Sequence, residues 1–269
     1  MSLNAPNAAA TGRKLNHLPA LDGLRGLAIL LVLAHNFATV ELPQGLVGHV
    51  IDLALDGGWI GVQLFFVLSG FLITRILLQT QDAPNYYRAF FGRRVLRIFP
   101  LYYAALFVGF VVFPLLGRVG PALAHDQGQQ LWLWLYVSNW THLLNFESQL
   151  FPHFWSLAIE EQFYLLWPLL VHRRSALQVL RLCLVVAVVS LLMRVAMLWQ
   201  GADSGTVYTY TVCRMDALAL GAAVAAWLQM PGVAVRLGAQ RQRLAWGVGL
   251  LWVVGLVATH GYPRTSPLG

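Results

Sequence analysis

Apolar residues gather into runs at about 21–40, 58–78, 99–116, 131–146, 155–171, 177–199, 208–229 and 244–260, divided by short polar stretches. A helix needs about 20 apolar residues to cross the hydrocarbon core of a bilayer, and several of these runs are that long. The pattern predicts an all-α fold, a polytopic transmembrane helix bundle. The run at 131–146 is unlike the rest. It is short and aromatic-rich, and its second half is polar, with Ser138, Asn139 and Thr141. We read it as a re-entrant or interfacial segment that does not cross, which leaves about seven spans.

Composition sharpens this reading. The 269 residues are 58% hydrophobic and 11% charged, whereas soluble domains carry about 25% charged residues. So little charge cannot keep a folded surface wetted, and so many apolar residues exclude a disordered chain. Residues 1–18 are polar and rich in Ala and Asn and read as a flexible cytoplasmic tail. The rest, 19–269, reads as one membrane domain, because the loops are too short to hold a soluble one. The first run carries Asp22 and Arg25 and lacks an Ala-x-Ala exit, so it reads as an uncleaved span rather than a signal peptide.

Basic residues set the orientation. Arg13 and Lys14 put the N-terminus in the cytoplasm; Glu41, Asp52 and Asp56 suit the outside; Arg88, Arg93, Arg94 and Arg97 suit the inside. With 131–146 not crossing, Arg173, Arg174, Arg236, Arg241 and Arg243 also fall inside, and the C-terminus falls outside. The net charge of +7 is explained by this bias, and no basic domain stands apart to bind nucleic acid. Every basic residue except Lys14 is arginine, the residue suited to planar, multi-donor recognition of anions. Cys183 and Cys213 lie in apolar runs with neither metal-ligand nor disulfide spacing. His35, His142 and His153 likewise lack ligand spacing, so no metal is expected.

Ionisable groups inside spans are costly and mark function. His35 lies ten residues beyond Arg25, roughly 15 Å along a helix, and Asp22 shares that helix. Gly61, Ser69 and Gly70 in the second run suit close helix packing, while Gln63 is a buried amide that needs a partner. Arg94 and Arg97, three apart, share a helix face beside Arg93. They make either a phosphate site or an ordinary positive anchor. Ser156, Glu160 and Tyr164 recur at i, i+4 and i+8 as a polar stripe, with Glu160 turned to the bundle and Glu161 suited to a helix N-terminus. Arg214 and Asp216 are charges within a span, two residues apart, so each meets a different helix.

Together these segments resemble the motifs of the acyltransferase 3 family, bacterial integral-membrane O-acyltransferases. In order they are Asp22-Gly23-Leu24-Arg25 with His35, Phe65-Phe66-Val67-Leu68-Ser69-Gly70-Phe71, Arg93-Arg94-Val95-Leu96-Arg97-Ile98-Phe99-Pro100, Trp155 through Tyr164, and Arg214-Met215-Asp216-Ala217-Leu218. The resemblance implies a membrane acyltransferase domain in a bacterial inner membrane. It would move an acyl group, commonly acetyl, from cytoplasmic acyl-CoA to a hydroxyl of a surface polysaccharide, glycolipid or glycoside. Acyl-CoA would be a co-substrate, with no bound cofactor; membrane lipids and the glycan acceptor are the other partners. It casts His35, Arg25 and Glu160 as catalytic and Arg93, Arg94 and Arg97 as the donor site. Asp22, Gln63, Ser69, Ser156, Tyr164, Arg214 and Asp216 would then orient the acceptor. A histidine can act as the base for a hydroxyl near neutral pH. Family members place ten residues between the arginine and histidine, against nine here. They also run to about ten spans, so a short or truncated member is expected. The other class these features admit is a non-enzymatic translocator or an inactive relative, which would tolerate replacement of His35.

Overall fold

The computed structural model describes residues 19–37, 60–144, 146–240, 242–243 and 246–247. The tail at 1–18, the acidic loop with Glu41, Asp52 and Asp56, and most of the run at 244–260 lie outside the described residues. Every regular element among the described residues is helical. They are α1 (Pro19–Phe37), α2 (Ile60–Thr80), α3 (Tyr86–Phe107), a π-helical turn at Val108–Val112, α4 (Phe113–Leu115) and α5 (Pro121–Asp126). A 3-10 turn at Gln127–Gln129, α6 (Gln130–Trp134) and a 3-10 helix at Ser138–Leu144 follow, then α7 (Phe154–Val171), α8 (Ala176–Trp199), α9 (Ser204–Thr209), α10 (Thr211–Leu228) and α11 (Val233–Ala239).

Four helices are long and apolar enough to cross a membrane: Ile60–Thr80, Tyr86–Leu115, Ala176–Trp199 and Thr211–Leu228. The second joins the basic stretch at Tyr86 to the apolar run at 99–116 as one helix of 30 residues. Helices α1 and α7 have 19 and 18 residues but carry charged groups within them, Asp22 and Arg25 on one, Glu160 and Glu161 on the other. The run at 131–146 is broken into a five-residue helix and a seven-residue 3-10 helix. Neither piece spans a bilayer, because at 1.5 to 2 Å per residue each reaches less than about half of its thickness.

Local sequence explains the boundaries. Ser175 accepts from the Gln178 N–H while the Gln178 side chain accepts from the Ser175 N–H, a capping box that starts α8. Asp203 accepts from the Thr206 N–H to start α9. Helix α8 buries little and turns Leu184, Leu191 and Leu192 outward, a face suited to lipid.

Helices α2 and α10 touch backbone to backbone. A Cβ at Gly70 would lie 1.9 Å from the Leu218 carbonyl oxygen, and one at Gly221 would lie 1.9 Å from that of Val67. Only glycine fits either place. Gly61 packs in the same way against the Ala28 carbonyl of α1. Helix α7 docks beside this pair, where the Trp167 indole N–H donates to Thr74 at 2.7 Å. Phe66, Ile73, Phe163, Tyr164, Trp167 and Leu218 fill the resulting core. A second core, with Tyr102, Leu106, Leu133 and Tyr136, fixes the broken segment to α3.

Candidate active site

Glu160 is 3% exposed, in the middle of α7. The polar groups close enough to act on its carboxylate are the hydroxyls of Ser69 and Tyr164 and the guanidinium groups of Arg94 and Arg25. Four helices therefore deliver one cluster. Tyr164 follows Glu160 by one turn on the same face, Ser69 comes from α2, Arg94 from α3 and Arg25 from α1. Arg94 stacks on the Tyr164 ring, with Cζ 3.3 Å from its centroid.

The cluster is unfinished. Ser69 Oγ, Arg94 Nε, Glu160 Oε1, Glu161 Oε1 and the Tyr164 hydroxyl are all buried and none reaches full hydrogen-bond geometry, although the Ser69 and Tyr164 hydroxyls lie close enough to act on the Glu160 carboxylate and on each other. An unmade bond of this kind costs about 1–3 kcal/mol, and more for a charged group. Native interiors pair the great majority of such atoms, so five in one place mark a site that a polar ligand completes. Beside it opens a cavity of about 370 Å³, lined by Phe90, Arg94, Tyr136, Glu161, Gln162 and Tyr164 among others. Tyr136 holds φ at +55°, in the left-handed region that non-glycine residues seldom occupy. Its ring stacks on Tyr102 at 3.9 Å, and burial pushes its phenol well above the usual range.

Two residues along α7, Gln162 has the opposite surroundings. Its Nε2 donates to the Tyr136 carbonyl and to Asn139 Oδ1, each at 2.9 Å. Its Oε1 accepts from the Thr211 hydroxyl at 2.5 Å. Thr211 Oγ1 in turn accepts from Asn139 Nδ2 and Trp140 Nε1, and Asn139 also donates to the Thr209 carbonyl. This network ties the 3-10 helix to α7 and α10. Sequence reasoning missed it. The available signal was the polar second half of the run at 131–146, but nothing in the order of residues names partners so far apart.

The other predicted residues divide into three groups. Arg94 turns inward, while Arg93 and Arg97 are exposed on α3, so the three arginines do not converge on one point. Gln63, Arg214 and Asp216 line a different cavity, between α2, α8 and α10. Ser156 donates to the His153 carbonyl in the first turn of α7, and Asp22 stands in the first turn of α1. His35 is in the last turn of α1, and its side chain lies outside the described residues. Among the described residues no group of three His, Cys, Asp or Glu is placed to hold a metal.

The loop beneath the second core is held by Asp126, which is fully buried. Its carboxylate accepts from the Ser148 hydroxyl at 2.6 Å, from the N–H groups of Gln149 and Leu150, and pairs with His125 Nδ1 at 2.9 Å. Burial alone would raise the carboxyl, but the bonds from His125, Ser148 and the two backbone N–H groups outweigh it and hold it below the usual carboxylate range.

Comparison with known proteins finds a family and several relatives. The sequence model of the acyltransferase 3 family, described as an acyltransferase domain, matches residues 18–267. Over 228 residues the chain is 32% identical to the O-acetyltransferase OatA of Staphylococcus aureus, covering 78% of this chain and 34% of that protein. It is 36% identical over 225 residues to the putative peptidoglycan O-acetyltransferase YrhL of Bacillus subtilis, covering 78% and 33%. The peptidoglycan O-acetyltransferase OatA of Listeria monocytogenes is 38% identical over 163 residues, covering 56% and 24%. The chain thus spans between 24% and 34% of the length of these curated relatives. No solved structure matches.

Proposed function

Because this chain belongs to the acyltransferase 3 family, we propose that it moves an acetyl group from cytoplasmic acetyl-CoA to a hydroxyl of a cell-envelope glycan, with peptidoglycan as the favoured acceptor. The relatives named as peptidoglycan O-acetyltransferases support the acceptor class. The observation that carries the reading is the buried polar cluster around Glu160, five of whose atoms fall short of full hydrogen-bond geometry, beside a cavity of about 370 Å³.

In this reaction the acceptor oxygen attacks the thioester carbonyl. A new C–O bond forms, the C–S bond breaks, and the hydroxyl proton leaves to a base as coenzyme A departs as a thiol. His35 is the base in our reading, on the same helix as Arg25. Glu160, with Ser69 and Tyr164 beside it, orients the acceptor hydroxyl. Arg94 stabilises negative charge developing on the carbonyl oxygen, as preorganised donors do at a buried site. The exposed Arg93 and Arg97 meet the phosphates of the donor from the cytoplasmic side of a bacterial inner membrane. The N-terminus lies on that side.

The test is mass spectrometry of envelope glycans from a host lacking O-acetylation, with and without the protein. Expression should add acetyl masses that mild base removes, and His35→Ala should abolish the gain while the protein still inserts. Identical spectra from cells with and without inserted protein would overturn the reading.

A further inference from the structure

Helix α6 stops in a way that singles out Tyr136. The Val137 N–H donates to the Trp132 carbonyl at 2.9 Å and the Tyr136 N–H to that of Leu133 at 3.1 Å, the paired bonds of a Schellman helix stop. The residue at the turn of such a stop takes a left-handed φ, here +55°. That place normally goes to glycine, because a Cβ makes the conformation costly. A bulky aromatic residue there gains nothing from the local backbone. Its surroundings hold it in place: Gln162 donates to the Tyr136 carbonyl at 2.9 Å, and the ring stacks on Tyr102 at 3.9 Å and on Phe99 at 5.6 Å. Backbone strain held in this way gathers at functional sites.

Packing accounts for the ring but not for its hydroxyl. Three phenols meet in this stack. Tyr102 donates to the Leu133 carbonyl at 2.7 Å and Tyr103 to that of Trp134 at 3.3 Å. Tyr136 is 7% exposed, yet its hydroxyl has no hydrogen-bond partner among the described residues. It lines the cavity of about 370 Å³ together with Arg94 and Glu161, whose Nε and Oε1 also fall short of hydrogen-bond geometry. The cavity therefore offers two donors and an acceptor between apolar walls that include Phe90, Val95 and Leu165. Burial raises the phenol far above neutral pH, so it keeps its proton and remains a donor. An acyl thioester on a pantetheine arm matches this set. Its carbonyl oxygen accepts two hydrogen bonds, and an amide N–H three bonds from the sulfur can donate to Glu161.

We propose that Tyr136 is a catalytic residue whose hydroxyl donates to the carbonyl oxygen of the acyl thioester, beside Arg94 Nε. As the acceptor oxygen bonds to the carbonyl carbon, the carbonyl electron pair moves onto oxygen; it returns as the C–S bond breaks. Tyr136 keeps its proton throughout and steadies the charge from a fixed position, where such donors act most strongly. This rests on the acyl-transfer reading above and adds the group that activates the donor.

The carbonyl itself reports the contact. The purified full chain in nanodiscs is given acetyl-CoA with ¹³C at the thioester carbonyl, and the bound carbonyl stretch is read by isotope-edited infrared difference spectroscopy. Tyr136→Phe keeps the ring, the stack and the helix stop. It should move the stretch to higher frequency and lower kcat for release of coenzyme A thiol by about 10²-fold or more, with donor KM and Tm unchanged. A stretch or a kcat that is the same in both proteins would overturn the inference, and so would a wild type that binds no acetyl-CoA. A lower Tm with turnover per folded molecule retained would also overturn it, by making the hydroxyl architectural. Glycan acetylation is scored separately. Thiol release and a carbonyl stretch that both depend on the Tyr136 hydroxyl, without glycan transfer, spare this inference and fail the acceptor reading; glycan transfer at full kcat in Tyr136→Phe does the reverse.

Discussion

Glu160 and Gln162 stand two residues apart on α7, both within the membrane bundle, and have opposite fates. Gln162 has both ends of its amide bonded, as part of a network that joins three segments. Glu160 faces Ser69, Tyr164, Arg94 and Arg25, yet its Oε1, Ser69 Oγ, the Tyr164 hydroxyl and Arg94 Nε all fall short of full hydrogen-bond geometry. The backbone geometry of the two positions is the same. What differs is whether the fold itself supplies partners. Where it does, the polar residue specifies the structure; where it withholds them, the residue is held ready for something else.

Glu160→Gln tests this contrast most severely. It removes the charge and keeps the shape, so acetyl transfer should fall by about 10²-fold through lost positioning while the melting temperature holds or rises. A fall in Tm with turnover intact would place Glu160 on the architectural side. Asn139→Ala should do the reverse, because it leaves Gln162 and Thr211 short of partners. The expected loss is about 1–3 kcal/mol of stability, seen as earlier thermal unfolding in detergent, with turnover per folded molecule retained. A variant as stable as wild type would show that the network is dispensable.

Arg94→Lys touches the boundary between the two regions. Lysine keeps the charge but loses the stacking plane over Tyr164 and the donor fork, so kcat should fall about tenfold, a change worth roughly 1.4 kcal/mol, with the donor KM little changed. An unchanged kcat would remove Arg94 from the transition state. The smallest effect belongs to Asp126, another polar group fully partnered by the fold. Its folded carboxyl titrates below its unfolded value. The stabilisation is therefore complete at neutral pH, fades once pH drops below the unfolded carboxylate range near 4, and is gone below the folded value. Asp126→Asn should lower Tm at pH 7 and flatten the acid limb of the Tm profile; an acid limb identical to wild type would refute this role of Asp126.

Much of the frame was legible because helices and membranes obey one-dimensional rules. The apolar runs marked α2, α3, α8 and α10, and the polar half of 131–146 betrayed a segment that does not cross. The two-residue offset of Arg214 and Asp216 gave different neighbours without naming them: Asp216 meets Arg194 of α8 and Arg214 meets Tyr208 of α9. Contacts between distant segments were not legible. Asn139, Gln162 and Thr211 become partners only when the 3-10 helix lodges between α7 and α10. Arg94 and Arg97 share a face by spacing, yet the contact with Tyr164 is narrow and takes in Arg94 alone, leaving Arg97 exposed. Spacing gives a direction, not the width of the neighbour it meets.

The paired glycines have a mechanical consequence. With Gly70 under the Leu218 carbonyl and Gly221 under that of Val67, α2 and α10 cannot slide past each other without collision, but they can swivel about the crossing. The crossing is a fulcrum. Ser69 sits at it and stays nearly still, while Arg214, seven residues along α10 from Gly221, rides about 10 Å out on the lever arm. A small tilt of α10 therefore moves the guanidinium through an arc and leaves the Glu160 cluster in register, so one end of the bundle can shift without disturbing the other.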